Sequence, residues 1–311
     1  MTNELPLVLF TIAAQMSAGS FIVLGLVHLF GARRPQRALD RITDPALYAI
    51  GPLLVLGLAA STFHLGSPLR AANALRHLGT SWLSREILLG LLFAAFGFLF
   101  AVLQWRKLGS HRVRQVVALV TAALGVGLVA CISQVYSLRT VPAWATPHTP
   151  LSFFITTFLL GGLAVGAALV MTRAVRARRG EELVEADRVD ETALFEGTIT
   201  GIALGSLVAL GLKFVSYPAY IGYLGSHPDA AAQRSLRVLT ETHEVWTAMS
   251  SLLVFVGVLL MAVLLYRLAT GKGRTELPWL ALGAFVLVLA GEVVGRMLFY
   301  ASMVHTGSFG G

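Results

Sequence analysis

Cysteine is nearly absent from this chain of 311 residues. Cys131 is the only one, and it lies inside an apolar run. Intrachain disulfides, thiolate-ligated iron–sulfur clusters and c-type haem attachment are thereby excluded, and Cys131 reads as a small core residue. Charge is scarce too. Charged residues make up 13% of the positions, where a soluble domain carries roughly 25%, and hydrophobic residues make up 56%. No connection between the apolar runs is long enough for a folded domain; the longest spans 217–244. A large catalytic cofactor therefore has no place on this chain outside the apolar runs. If the chain serves redox chemistry, it does so as one subunit of a larger enzyme.

What the sequence has in abundance is membrane-length apolar segments. The hydrocarbon core of a bilayer is about 30 Å thick and takes about 20 helical residues to cross. Eight such runs are expected, at roughly 5–30, 45–64, 86–105, 113–136, 150–172, 196–216, 245–268 and 277–300. The expected fold class is an all-α integral membrane protein, one membrane domain over 1–311 formed by a bundle of eight transmembrane helices. The opening MTNELP carries Glu4 where a signal peptide carries positive charge, and the run after it is too long for a signal's apolar region. The first run is thus expected to be a span, not a cleaved leader.

Lysine and arginine are divided unequally between the two faces. The connections after the first, third, fifth and seventh runs hold sixteen, among them Arg33, Arg34, Arg41, Lys107, Arg114 and Arg176. The opposite face holds six: Arg70, Arg76, Arg85, Arg139, Arg234 and Arg237. The positive-inside rule then puts both termini, and the connection after the second run, on the periplasmic side. The net charge of +8 is this bias, and implies lipid rather than nucleic acid as the surrounding partner.

Small residues mark close helix contacts. Ala18, Gly19 and Ser20 in the first run, and Gly161, Gly162 and Gly166 in the fifth, have the composition that lets backbones approach. The proline-rich RTVPAWATPHTP from Arg139 is expected to form an ordered, non-helical cover, with Trp144 in the aromatic belt. The mixed-charge connection from Arg173 to Glu191 is expected to extend helices into water.

Titratable groups concentrate in one stretch, FHLGSPLRAANALRHLGTSWLSRE, from Phe63 to Glu86. Gly66-Ser67-Pro68 ends the second run, since proline removes a donor and restricts the residue before it. His64 and Glu86 therefore bracket one connection at one membrane face. A base and an acid so placed suit quinol oxidation, which releases two protons with two electrons. Structural roles compete with this: Glu86 complements a helix dipole, and His64 is an ordinary interfacial residue. A second candidate is GEVVGRMLFY from Gly291, where Glu292 and Arg296 stand four apart on one helix face and are expected to pair. Ionisable groups within a membrane are functional candidates by default. Of eight histidines, six lie at or beyond the outer boundary and only His28 and His111 lie inward. That distribution does not supply two stacked haems, so no haem is expected, and no metal site.

The stretch HLGSPLRAANALRHLGTSWLSRE resembles the same region of the membrane-anchor subunits of bacterial dimethyl sulfoxide reductases, the DmsC family. FTIAAQMSAGSFIVLGL from Phe10, VYSLRTVPAWATPHTPLSFFITTFLLGG from Val135 and GEVVGRMLFY resemble that family as well. The resemblance implies eight transmembrane helices without haem in a bacterial inner membrane. It also implies menaquinol oxidation near the outer face and electron transfer to a four-cluster iron–sulfur subunit, which feeds a molybdopterin catalytic subunit. It further implies that His64 and Glu86 act on the quinol, with Ser67 and Arg70 in the same binding motif. The likeness fades over 173–195 and 217–244, so Glu241, His243 and Glu244 inherit no role, and the terminal substrate stays open. Two rival expectations stand beside it. One is a similar subunit run backwards, reducing quinone in a sulfite- or sulfur-oxidising complex. The other is a transporter using Lys213, Glu292 and Arg296 as a mid-membrane site.

Overall fold

A computed structural model describes residues 5–47, 51, 77–181, 185–271 and 276–306, with 185–187 described as backbone only. Among these residues the fold is helical, without strands. In order the helices are α1 (Leu5–Phe30), α2 (36–47), α3 (Trp82–Trp105), α4 (His111–Tyr136), α5 (His148–Arg178), α6 (Glu185–Ser226), α7 (Ala230–Arg237), α8 (Glu244–Thr270) and α9 (Leu277–Ala301). A short π-helical turn, Val238–Thr242, joins α7 to α8. Among the described residues seven helices (α1, α3–α6, α8 and α9) are long and apolar enough to cross a membrane. The expected second span, 45–64, falls outside the described residues except at 45–47 and 51, and so do His64, Ser67 and Arg70.

The helix ends follow local chemistry. Ser81 caps α3 by accepting from the Ser84 N–H, and Ser110 caps α4 from Val113. Gly180 and Gly271 take positive φ just past α5 and α8, where a side chain would be strained. Large apolar side chains point away from the bundle: Phe30, Phe98, Trp105 and Val215 are each at least 70% exposed. That outward face fits hydrocarbon rather than water.

Close crossings hold the helices together. A Cβ on Gly19 would overlap the Thr157 carbonyl, and one on Gly161 the backbone of Gly19 and Ser20. Gly291 and Gly257 bring α9 against α8 in the same way, next to Ser250 and Val288.

The two ends of the bundle differ. At one, α2 lies beneath α3 and α4: Gln104 donates to Asp40 (2.7 Å) and Asp44 (2.8 Å), Lys107 pairs with Asp44 (2.8 Å), and buried Arg114 pairs with Asp40 (3.0 Å). Arg34 and Arg41 reach Asp190 and Glu191 on α6 at the same end. The other end is closed by residues 139–147. Trp144 donates to the Phe299 carbonyl (3.0 Å), Tyr220 to that of Ala143 (3.1 Å), and the Thr306 N–H to Thr140 (2.9 Å).

Two sequence expectations change here, and one helix is added. The connection after α1 is helical from 36, because Asp40 and Asp44 gain polar partners on α3 and α4. The sixth span runs from Glu185 to Ser226 and passes through Pro218, instead of ending near 216. Trp144 is 3% exposed, stacked on Phe299 with ring centroids 4.7 Å apart, and does not stand in an outer belt. Its indole N–H finds a carbonyl inside, which makes burial of the ring favourable.

Candidate functional site

Glu292 sits on α9 one residue after Gly291, the glycine that presses α9 onto α8, and is therefore held inside the bundle at 4% exposure. Its carboxylate accepts from Lys213 Nζ on α6 (2.6 Å) and from the Thr156 hydroxyl on α5 (2.7 Å). Lys213, rather than Arg296, is its hydrogen-bonded ion partner. Arg296 lies one turn on, equally buried. It donates to Gln15 Oε1 on α1 (2.8 Å) and rests its guanidinium 3.8 Å from the centroid of the Phe153 ring. Spacing along α9 placed both groups on one face, but it carried no information about partners arriving from α1, α5 and α6. Arg296 also has the better alternative, because a planar guanidinium stacks on an aromatic ring where an ammonium is a point charge.

The cluster borders a cavity of about 190 Å³ between α5, α6, α8 and α9. His148 and Tyr220 stack face to face at 4.4 Å along its wall, Phe214 and Tyr217 line it from α6, and Ser250 and Ser251 from α8. Lys213 and Arg296 bring two positive charges against the single carboxylate of Glu292.

Glu86 occupies a second polar location near the same end. It is 9% exposed and belongs to the buried side of α3, with Ser84, Phe93, Gly97, Phe100 and Gln104. It lies close enough to Cys131, Tyr136 and Tyr300 to interact electrostatically with each. The Tyr300 hydroxyl donates to that of Tyr136 (2.9 Å), and Tyr300 follows Arg296 by one turn of α9. Tyr136 and Tyr300 thus each lie near both Glu86 and Arg296. Sequence reasoning missed both tyrosines, together with Thr156 and Gln15. Each is an ordinary residue of an apolar helix until its neighbours across the bundle are known. From the first turn of α3, Arg85 braces the turn before it by donating to the carbonyls of Leu78 and Gly79, and lies over Trp82. Among the described residues no group of three or more His, Cys, Asp or Glu is arranged to hold a metal ion.

Helices long and apolar enough to cross a membrane, with ionisable groups gathered inside one end of their bundle, define the class: a multi-pass membrane protein. Residues 1–185 match the family described as DMSO reductase anchor subunit (DmsC). The sequence is 32% identical over 307 residues to a chain of the anaerobic dimethyl sulfoxide reductase of Escherichia coli, covering 98% of this protein and 96% of that one. The counterpart in Haemophilus influenzae is 29% identical over 96% of this protein and 94% of its own length. A subunit of the sulfite dehydrogenase of Allochromatium vinosum is 30% identical, over 83% and 84%. The chain belongs to the DMSO reductase anchor subunit family.

Proposed function

We propose that this chain is the membrane anchor and quinol-oxidising subunit of a molybdopterin oxidoreductase complex of the DMSO reductase kind. It sits in the bacterial inner membrane with both termini, and the 63–86 stretch, on the periplasmic side. Menaquinol gives up two protons and two electrons there. His64 takes a hydroxyl proton, Glu86 passes protons toward the outer water, and Ser67 and Arg70 help hold the ring. The electrons leave for an iron–sulfur subunit and from it for the molybdopterin subunit. In this reading the anchor itself carries no haem.

The observation that carries the proposal is Glu86: a carboxyl group held on the bundle-facing side of α3, at the end of the HLGSP-containing stretch that resembles the family. A carboxyl group there is sheltered enough to exchange protons with a quinol, yet within a few residues of a helix start. The relative in Allochromatium vinosum supports a second reading, with the same site reducing quinone while a partner oxidises sulfite.

The test compares two preparations of the purified complex, with and without this chain. The full complex is expected to couple oxidation of a soluble menaquinol analogue to substrate reduction. The preparation lacking the anchor should retain only reduction driven by an artificial dye. Undiminished quinol-dependent activity without the anchor would refute the proposal.

A further inference from the structure

We infer that the cavity between α5, α6, α8 and α9 is a quinone-ring site, with Lys213 donating to a ring oxygen, at a place to which the described part of the 63–86 stretch contributes no residue. The inference rests on the proposed quinone chemistry and adds a second location for it.

Four features point to this ligand. The cavity, about 190 Å³, is of the order of one substituted ring and far too small for a folded partner. Its polar floor is biased toward a hydrogen-bond acceptor. Lys213 is one-quarter exposed and, among the described residues, gives a hydrogen bond only to Glu292. Arg296, 4% exposed, lines the same space with its Nε lacking a partner among the described residues. An ammonium group has three donors, and a quinone offers only acceptors.

The walls supply flat apolar surface from Phe214, Tyr217 and Phe299. Phe214, part of that wall, is nearly half exposed on α6 and meets the equally exposed Phe255 of α8 edge to face at 6.2 Å. Depth separates a quinone from a phospholipid headgroup. Glu292 lies nine residues before the end of α9, so at 1.5 Å per residue the floor is about 13 Å below that end. A phosphate would have to leave water to reach it, whereas a lipid-soluble ring would not.

The test uses the intact complex in detergent with a photoreactive azido-naphthoquinone, and maps adducts by peptide mass spectrometry. Adducts are expected on segments 211–220 and 247–255, displaced by excess unlabelled quinone. Their yield should fall about tenfold or more in Lys213→Met/Glu292→Gln, which removes a charged donor without stranding its partner. Ser251→Phe fills the cavity from α8, leaves the ion pair untouched, and should give the same loss. Labelling at these segments should persist in Glu86→Gln. Displaceable adducts confined to 63–86 would overturn this inference and leave the proposed function standing. Displaceable adducts at neither place would overturn both.

Discussion

Glu292 meets donors from α5 and α6, and Arg296 meets partners on α1 and α5. Each charge thus finds its hydrogen-bond partners across the bundle and not along its own helix. The sequence made the presence of buried charge legible, since Lys213, Glu292 and Arg296 interrupt apolar runs. It did not make the pairing legible, because Lys213 is 79 positions from Glu292 and either cation could have joined the carboxylate. Removing one member of a buried pair strands the other, which typically costs about 3–5 kcal/mol, while removing both together is often nearly neutral. Lys213→Met should therefore lower the thermal unfolding midpoint in detergent clearly, and Lys213→Met/Glu292→Gln should recover most of the loss. Equal midpoints for the single variant and the wild type would show that the pair does not stabilise the bundle.

At the scale of helices, the small residues were the most informative part of the sequence. Gly19 and Gly161 were expected at a close contact, and the structure crosses α1 and α5 at those positions with no room for a side chain. Gly201 has a different setting: it faces an apolar groove of about 780 Å³ between α1, α5 and α6, with nothing near the place of a Cβ. The two glycines predict opposite outcomes. Gly161→Ala should destabilise by about 1–3 kcal/mol, as overpacking does. Gly201→Ala should be neutral or stabilising by up to about 1 kcal/mol, because alanine loses less backbone freedom in a helix. Thermal unfolding of the two variants side by side checks this, and similar losses from both would contradict the packing described.

Helix boundaries were less legible than contacts. Hydropathy marks where a helix is oily, but α6 continues at both ends of its apolar run. Pro218 reads as a stop, yet proline removes only one donor and clashes with one carbonyl. Its neighbours Tyr217 and Tyr220 are secured by packing, Tyr220 through its bond to Ala143. The helix at 36–47 was hidden for a similar reason. Asp40 and Asp44 look like loop residues until Gln104, Lys107 and Arg114 appear opposite them.

Across the whole molecule, many of the cations counted toward one face gather at one end in ion pairs, Arg34, Arg41, Lys107, Arg114 and Arg176 among them. The opposite end is sealed by aromatic contacts around Trp144, Tyr136 and Tyr300. The positive-inside rule assigns the first end to the cytoplasm. A reporter active only in the periplasm, fused after Gly311, should then be active. Activity from a cytoplasm-only reporter at that position would invert the assignment.

The central claim is that quinol is oxidised at His64 and Glu86, and the most direct test compares two activities of one intact complex. His64→Ala removes the proposed proton acceptor, whose loss typically costs about 10²–10⁴-fold, and Glu86→Gln keeps the shape while blocking proton transfer. In both variants quinol-dependent substrate reduction should collapse, while reduction driven by an artificial dye donor, which bypasses the membrane, stays at the wild-type rate. Wild-type quinol activity in His64→Ala and Glu86→Gln, with all subunits still assembled, would contradict the account.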